Sequence, residues 1–123
     1  MTTAAKVGIS GIDASYYMTK NLASATAFYN SLFGAEPSMH VPETVSEWSF
    51  SDGTTFGLYQ PQDAEGWYAG GGILFHVDDL NAAKAASEAL GATFDEHPEE
   101  TPMCFMAFGE DPEGNRFILH QPK

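Results

Sequence analysis

Cysteine, basic side chains and long apolar runs are what this chain has least of. Cys104 is the single cysteine, so no disulfide can close within the chain. Met103, Phe105 and Met106 beside it mark a buried thiol rather than a nucleophile. Nothing here demands an oxidising compartment, and a cytoplasmic location is expected. Five Lys and Arg stand against 17 Asp and Glu, leaving a formal net charge of −12. Nucleic acids and anionic membranes are held by Lys and Arg that neutralise phosphates, so neither is an expected partner. No stretch reaches the roughly 18 apolar residues of a membrane span. The opening MTTAAKVGIS also lacks the apolar centre of a signal peptide. The acid excess serves solubility, or it belongs to a cleft that attracts a cationic ligand.

What is present is enough for a core. The chain has 123 residues, 43% of them hydrophobic, with nine Phe, five Tyr and two Trp. That composition offsets the ordering entropy that keeps polar chains unfolded, and the length suits one domain, residues 1–123.

The chain repeats itself. SDGTTFGLYQP at Ser51–Pro61 returns as DPEGNRFILHQP at Asp111–Pro122, pairing Gly53 with Gly114, Phe56 with Phe117, Leu58 with Leu119 and Gln60 with Gln121. Upstream, NLASATAFYNSLFGAEPSMH is answered by DLNAAKAASEALGATFDEH, which pairs Leu22 with Leu80, Gly34 with Gly91 and His40 with His97. Self-similarity at a nearly constant offset marks two structural copies, one over about 8–63 and the other over about 70–122.

Each copy holds a helix. Leu22, Ala25, Phe28, Tyr29 and Leu32 recur at helical spacing between a capping Asn21 and Gly34. Leu80, Ala83, Ala86 and Leu90 do the same between Asp78 or Asp79 and Gly91. A strand precedes each helix, in GIDASYYMT and GGILFHV. Three follow each, in AEPSMHV, SEWSFSD and TTFGLYQ, then ATFDEH, PMCFMAFGE and NRFILHQ. The fold class is α+β: two tandem βαβββ modules, each with a helix on one face of its sheet, curled as mixed sheets around a shared cleft. DGTT and DPEGN read as plain hairpin turns.

Alternation assigns the faces. With Phe56, Leu58, Phe117 and Leu119 under the helices, their neighbours Gly57, Tyr59, Arg116, Ile118 and His120 point into the cleft. Tyr16, Met18, Leu74 and His76 join them from the opening strands. Gly57 and Gly72 leave room near the backbone for a flat ligand, or are simply small residues in a crowded barrel. Trp48 is expected to line the cleft or an interface. Trp67 and Tyr68, in the glycine-rich connection, close over a ligand or clamp the modules. His40 and His97 read as surface residues at strand ends. The acidic Asp95–Glu100 stretch reads as a solvated hairpin edge that discourages strand-to-strand association, or else it borders the cleft mouth. His76 and His120 are the catalytic candidates, because an imidazole acts as acid or base near neutral pH; otherwise they only orient a ligand.

NLASATAFYNSLFGAEP, VDDLNAAKAASEALGA and EDPEGNRFILHQ together resemble the vicinal oxygen chelate superfamily, which includes glyoxalase I, extradiol dioxygenases and bleomycin-binding resistance proteins. The resemblance covers nearly the whole chain. It implies the paired-module fold, a homodimer, and, in the metal-using branches, ligands from the first and last strand of each module. Those positions here carry Ala14, Gly57, Gly72 and Ile118, which supply no side-chain donor to an ion. Neither a metal nor any other cofactor is therefore expected. The expected function is metal-independent binding of a small aromatic or cationic organic molecule. The alternative is a lyase, isomerase or dioxygenase-type enzyme that uses His76 and His120 or an atypical metal site.

Overall fold

The structure, a computed structural model, describes residues 12–63 and 69–123 together with Gly8, Glu65 and Trp67. Tyr68, a candidate clamp, lies outside the described residues. The first module runs β1 (Ser15–Met18), α1 (Leu22–Phe33), β2 (Met39–Val41), β3 (Val45–Ser49) and β4 (Thr55–Tyr59). The second runs β5 (Ile73–His76), α2 (Leu80–Ala89), β6 (Thr93–Phe94), β7 (Glu99–Glu100), β8 (Cys104–Glu110) and β9 (Arg116–Pro122). The sheets have the orders β1-β4-β3-β2 and β5-β9-β8-β6, with β7 also on β8. In each, the opening strand pairs parallel to the closing strand and the remaining pairs are antiparallel. The two halves of the sequence are thus structural copies.

Their outer edges differ. The edge of the second sheet is broken into β6 and β7. Asp95 N–H still reaches Phe108 O at 2.9 Å, but Pro98 has no N–H to give, and the ladder resumes only at Glu99. The acidic edge foreseen from the sequence is therefore two short strands around a bulge, a shape that discourages further pairing.

The helices start and stop as their sequences direct. Asn21 Oδ1 accepts from Ser24 N–H at 3.0 Å and Asp79 Oδ1 from Ala82 N–H at 3.1 Å. Gly34 ends α1 at φ 67°, a left-handed turn that a side chain disfavours. The repeated glutamines serve the same end. Gln60 Oε1 accepts from Leu22 N–H and Gln121 Oε1 from Leu80 N–H, both at 2.7 Å. The closing strand of each module thereby completes the first turn of its own helix.

Tyr29, Phe33, Phe56 and Phe75 form an aromatic core that crosses between modules, with Tyr29 and Phe56 centroids 4.8 Å apart and Phe33 and Phe75 centroids 5.5 Å apart. A fully buried ring such as that of Phe56 contributes about 1.5–3 kcal/mol by leaving water. Trp48 belongs to this layer and not to the cleft. It is buried, and its Nε1 donates to Asn30 Oδ1 and Ala35 O, each at 3.1 Å. The correction follows from parity, because Trp48 pairs with Phe56, which lies under α1.

The DPEGN segment is likewise more than a turn. Asp111 Oδ1 accepts from the N–H groups of Glu113 and Asn115, both at 2.9 Å. Its Oδ2 accepts from Tyr29 Oη and Asn115 Nδ2, both at 2.8 Å. Glu113 takes the Thr19 hydroxyl and, at 2.8 Å, the Lys20 N–H, while Asn115 Oδ1 takes Gly70 N–H at 2.8 Å. One turn of the second module therefore fastens the β1–α1 junction, α1 itself and the connecting segment. The matching turn in the first module stays plain: Asp52 bonds only Thr54, and it is exposed.

Candidate functional site

The faces turned away from the helices form the cleft. On the first sheet Tyr16 pairs with Gly57, and Gly57 with Glu47; Met18 pairs with Tyr59. On the second, Leu74 pairs with Ile118 and His76 with His120 across β5 and β9. Met106, Phe108 and Glu110 on β8 lie opposite His120, Ile118 and Arg116. Paired residues on neighbouring strands share a face, so the residues assigned to the cleft from sequence, Trp48 apart, lie on it.

The two halves of the cleft differ. In the first, the Tyr16 ring lies over Gly57: a Cβ on that glycine would sit 2.5 Å from the Tyr16 Cζ. The Tyr16 hydroxyl donates to the Glu47 carboxylate. The room expected above Gly57 is thus filled by the protein's own phenol, an aromatic ring covering a strand glycine. In the second half, Gly72 has φ 91° and nothing within 4 Å of where its Cβ would be. Beside it opens a hollow of about 340 Å³ lined by Thr93, Asp95, Phe108, Glu110, Arg116 and Ile118 among others. Arg116 Nε stands 3.4 Å from Glu110 Oε1. Both ends of that pair are open to solvent, which makes it weak and available to a competitor.

His76 and His120 are register partners on one face, as their strand parity predicts. His76 Nε2 is 3.2 Å from Asp78 Oδ1, and both groups are exposed. Trp67 anchors the connection to the end of β1: its Nε1 donates to Met18 O at 3.2 Å, and Lys20 Nζ sits 4.2 Å from its ring centroid. His97 is exposed beside Glu96, whereas His40 bonds Ser46 on the helix side of the first sheet.

Phe108, Glu110 and Glu47 are site residues that sequence reasoning did not single out, while Asp95, read from sequence only as part of the acidic stretch, lines the hollow. The alternation of Met106, Phe108 and Glu110 against Ala107 and Gly109 carried the signal on β8. The parity of Glu47 followed once Trp48 was known to face α1.

A metal of the glyoxalase kind finds no donors at the four positions that the resemblance points to. Among the described residues no group of three or more His, Cys, Asp or Glu comes together to hold an ion. The residues present do not fit that metal. No described helix is long and apolar enough to cross a membrane.

The family model described as the Glyoxalase/Bleomycin resistance protein/Dioxygenase superfamily matches residues 11–119. Solved structures share the fold. TnmS3, an antibiotic binding protein from Streptomyces sp. CB03234, is 23% identical with a TM-score of 0.73, over 96% of this chain and 100% of its own. A lactoylglutathione lyase from Agrobacterium tumefaciens is 24% identical with a TM-score of 0.72, over 92% and 94%. A glyoxalase/bleomycin resistance protein from Albidiferax ferrireducens T118 is 22% identical with a TM-score of 0.71, over 89% and 97%. No curated protein sequence matches the chain.

Proposed function

The chain belongs to the glyoxalase/bleomycin resistance protein/dioxygenase superfamily, and within it we propose a protein that binds a small aromatic or cationic organic molecule without a metal ion. The observation that carries this reading is the hollow beside Gly72. Phe108 and Ile118 give it apolar walls, Asp95 and Glu110 give it negative charge, and among the described residues no set of metal donors surrounds it. A planar ring stacks on Phe108, and an attached ammonium lies near the two carboxylates. The net charge of −12 favours the approach of a cation. TnmS3, which has this fold and binds an antibiotic, is in keeping with such a role.

The test is titration with 9-aminoacridine, a planar aromatic cation, before and after treatment with a chelator. Saturable binding that survives the chelator and weakens about tenfold in Glu110→Gln, the effect of one charged contact, supports the reading. Binding that requires added divalent metal overturns it. A second reading, acid–base catalysis, draws on the direct pairing of His76 with His120. Turnover lost in His120→Gln while binding persists would put that reading first.

We also propose that two copies associate through this side of the molecule, in the cytoplasm. Tyr16, Met39, Val41, Tyr59 and Leu74 are large, exposed and on the cleft face, and apolar side chains of this kind are what an interface between copies covers. Size-exclusion chromatography showing a 13.3 kDa species alone rejects the dimer.

A further inference from the structure

On the opposite side of the first sheet from the cleft, between the start of α1 and the β2–β3 hairpin, lies a second and larger hollow of about 510 Å³. Its lining includes Lys20, Asn21, His40 and Gln60. In a chain with 17 acids and five bases, this lining carries a single carboxylate, that of Glu43.

The orientation of its amides is fixed by the helix cap. Asn21 Oδ1 is occupied by Ser24 N–H and Gln60 Oε1 by Leu22 N–H, so each amide keeps its NH₂ group for something else. Neither NH₂ has a partner among the described residues. His40 is set in the same way. Its Nδ1 lies 2.7 Å from Ser46 Oγ, and Ser46 Oγ lies 2.9 Å from Thr26 Oγ1. Ser46 and Thr26 are buried, so this chain of hydroxyls pins the imidazole from inside and leaves Nε2 to the hollow.

The second module supplies an internal comparison. There Asp78 and Asp79 occupy the places of Lys20 and Asn21, and His97 lies against Glu96 in place of a serine. Asp79 still caps its helix and Gln121 still accepts from its first turn. Helix capping accepts Asp as readily as Asn, so it does not account for an amide and a lysine at this corner of the first module. The Asn21 and Gln60 NH₂ groups and His40 Nε2, left over from the cap and gathered around one hollow beside Lys20, fit a ligand there.

We propose that this hollow binds the oxyanion group, a carboxylate or a phosphate, of a small ligand distinct from the one in the cleft. Asn21 Nδ2 and Gln60 Nε2 give hydrogen bonds, as does His40 Nε2–H in the tautomer whose Nδ1 accepts from the Ser46 hydroxyl, and Lys20, whose ammonium also rests 4.2 Å from the Trp67 ring centroid, gives the charge. Two-dimensional NMR of the side-chain amides and the His40 imidazole tests it, with inorganic phosphate in one arm, benzoate in another and chloride at equal ionic strength as reference. Saturable shifts at Asn21, Gln60 and His40 in the phosphate arm, the benzoate arm or both support the site and tell which oxyanion it takes. The double variant Lys20→Gln/Asn21→Asp removes the charge and keeps a capping carboxylate like that of Asp79, with circular dichroism to confirm that it folds; its affinity falls by about tenfold or more, as expected for losing a charged contact. No saturable shift in either arm, or equal affinity in the variant, overturns the proposal.

Discussion

The Tyr29 hydroxyl donates to Asp111 Oδ2 at 2.8 Å, joining α1 of the first module to the turn that leads into β9 of the second. Both residues are buried. The Asp111 carboxylate accepts four hydrogen bonds, and Tyr29 is the donor that reaches it from the other module.

Tyr29→Phe removes one bond to a carboxylate and is expected to cost about 1.5–3 kcal/mol. Asp111→Ala strands the tyrosine, the Asn115 amide and two backbone N–H groups together, and costs more. Urea unfolding monitored by tryptophan fluorescence measures both. Equal stability of Tyr29→Phe and the parent protein would show that the two modules hold together without this contact.

Alkali should attack the same place. Burial pushes the Tyr29 hydroxyl well above its ordinary value of 10.0, and the Asp111 charge and hydrogen bond push it further. Burial does the same to Tyr17, with a smaller contribution from Asp111. Raised acids of this kind contribute stability that is full below the unfolded value and is lost as pH rises through the folded one. Above pH 10.0 the fold should weaken. Two of the five tyrosines should ionise only as circular dichroism reports unfolding, and smooth ionisation of all five in the folded state contradicts the assignment.

Gly57→Ala places a methyl group 2.5 Å from the Tyr16 ring. The ring must swing out, which breaks its bond to Glu47, and overpacking of this kind costs about 1–3 kcal/mol. In Tyr16→Ala/Gly57→Ala the penalty of the alanine at 57 should largely vanish, a non-additivity expected for residues in contact. Additive losses in a thermal or urea double-mutant cycle would mean that the ring does not rest on Gly57.

Asp52 shows the other sign. The hydroxyl and N–H of Thr54 hold its carboxyl below the ordinary 3.8, so its contribution is present above the unfolded value and is lost as pH falls through the folded one. Thr54→Val removes the hydroxyl bond and should raise the pH at which the Asp52 side-chain carbon titrates by NMR. An unchanged midpoint would show that the backbone N–H alone sets it.

The sequence determined the fold without help. Repeated Phe56 and Phe117, Leu58 and Leu119, and Gly34 and Gly91 fix two helices and the inward face of each closing strand, because periodicity and caps are local properties of the chain. The same alternation placed Tyr16, Tyr59, His76 and His120 on the cleft. Trp48 defeats this logic because its strand has a tryptophan and a glutamate on opposite faces. Nothing local says which of the two is buried until α1 lies across the sheet.

Tertiary structure alone decided what each repeated piece does. DPEGN and DGTT have the same turn chemistry, yet only the first meets another module, since only there does the path of the chain bring Tyr29 and Thr19 within reach. Gly57 and Gly72 both lack side chains, yet one is roofed by a neighbouring ring and the other stands open. Which empty space stays empty depends on contacts between strands far apart in sequence, and residue order does not encode those pairwise distances one position at a time.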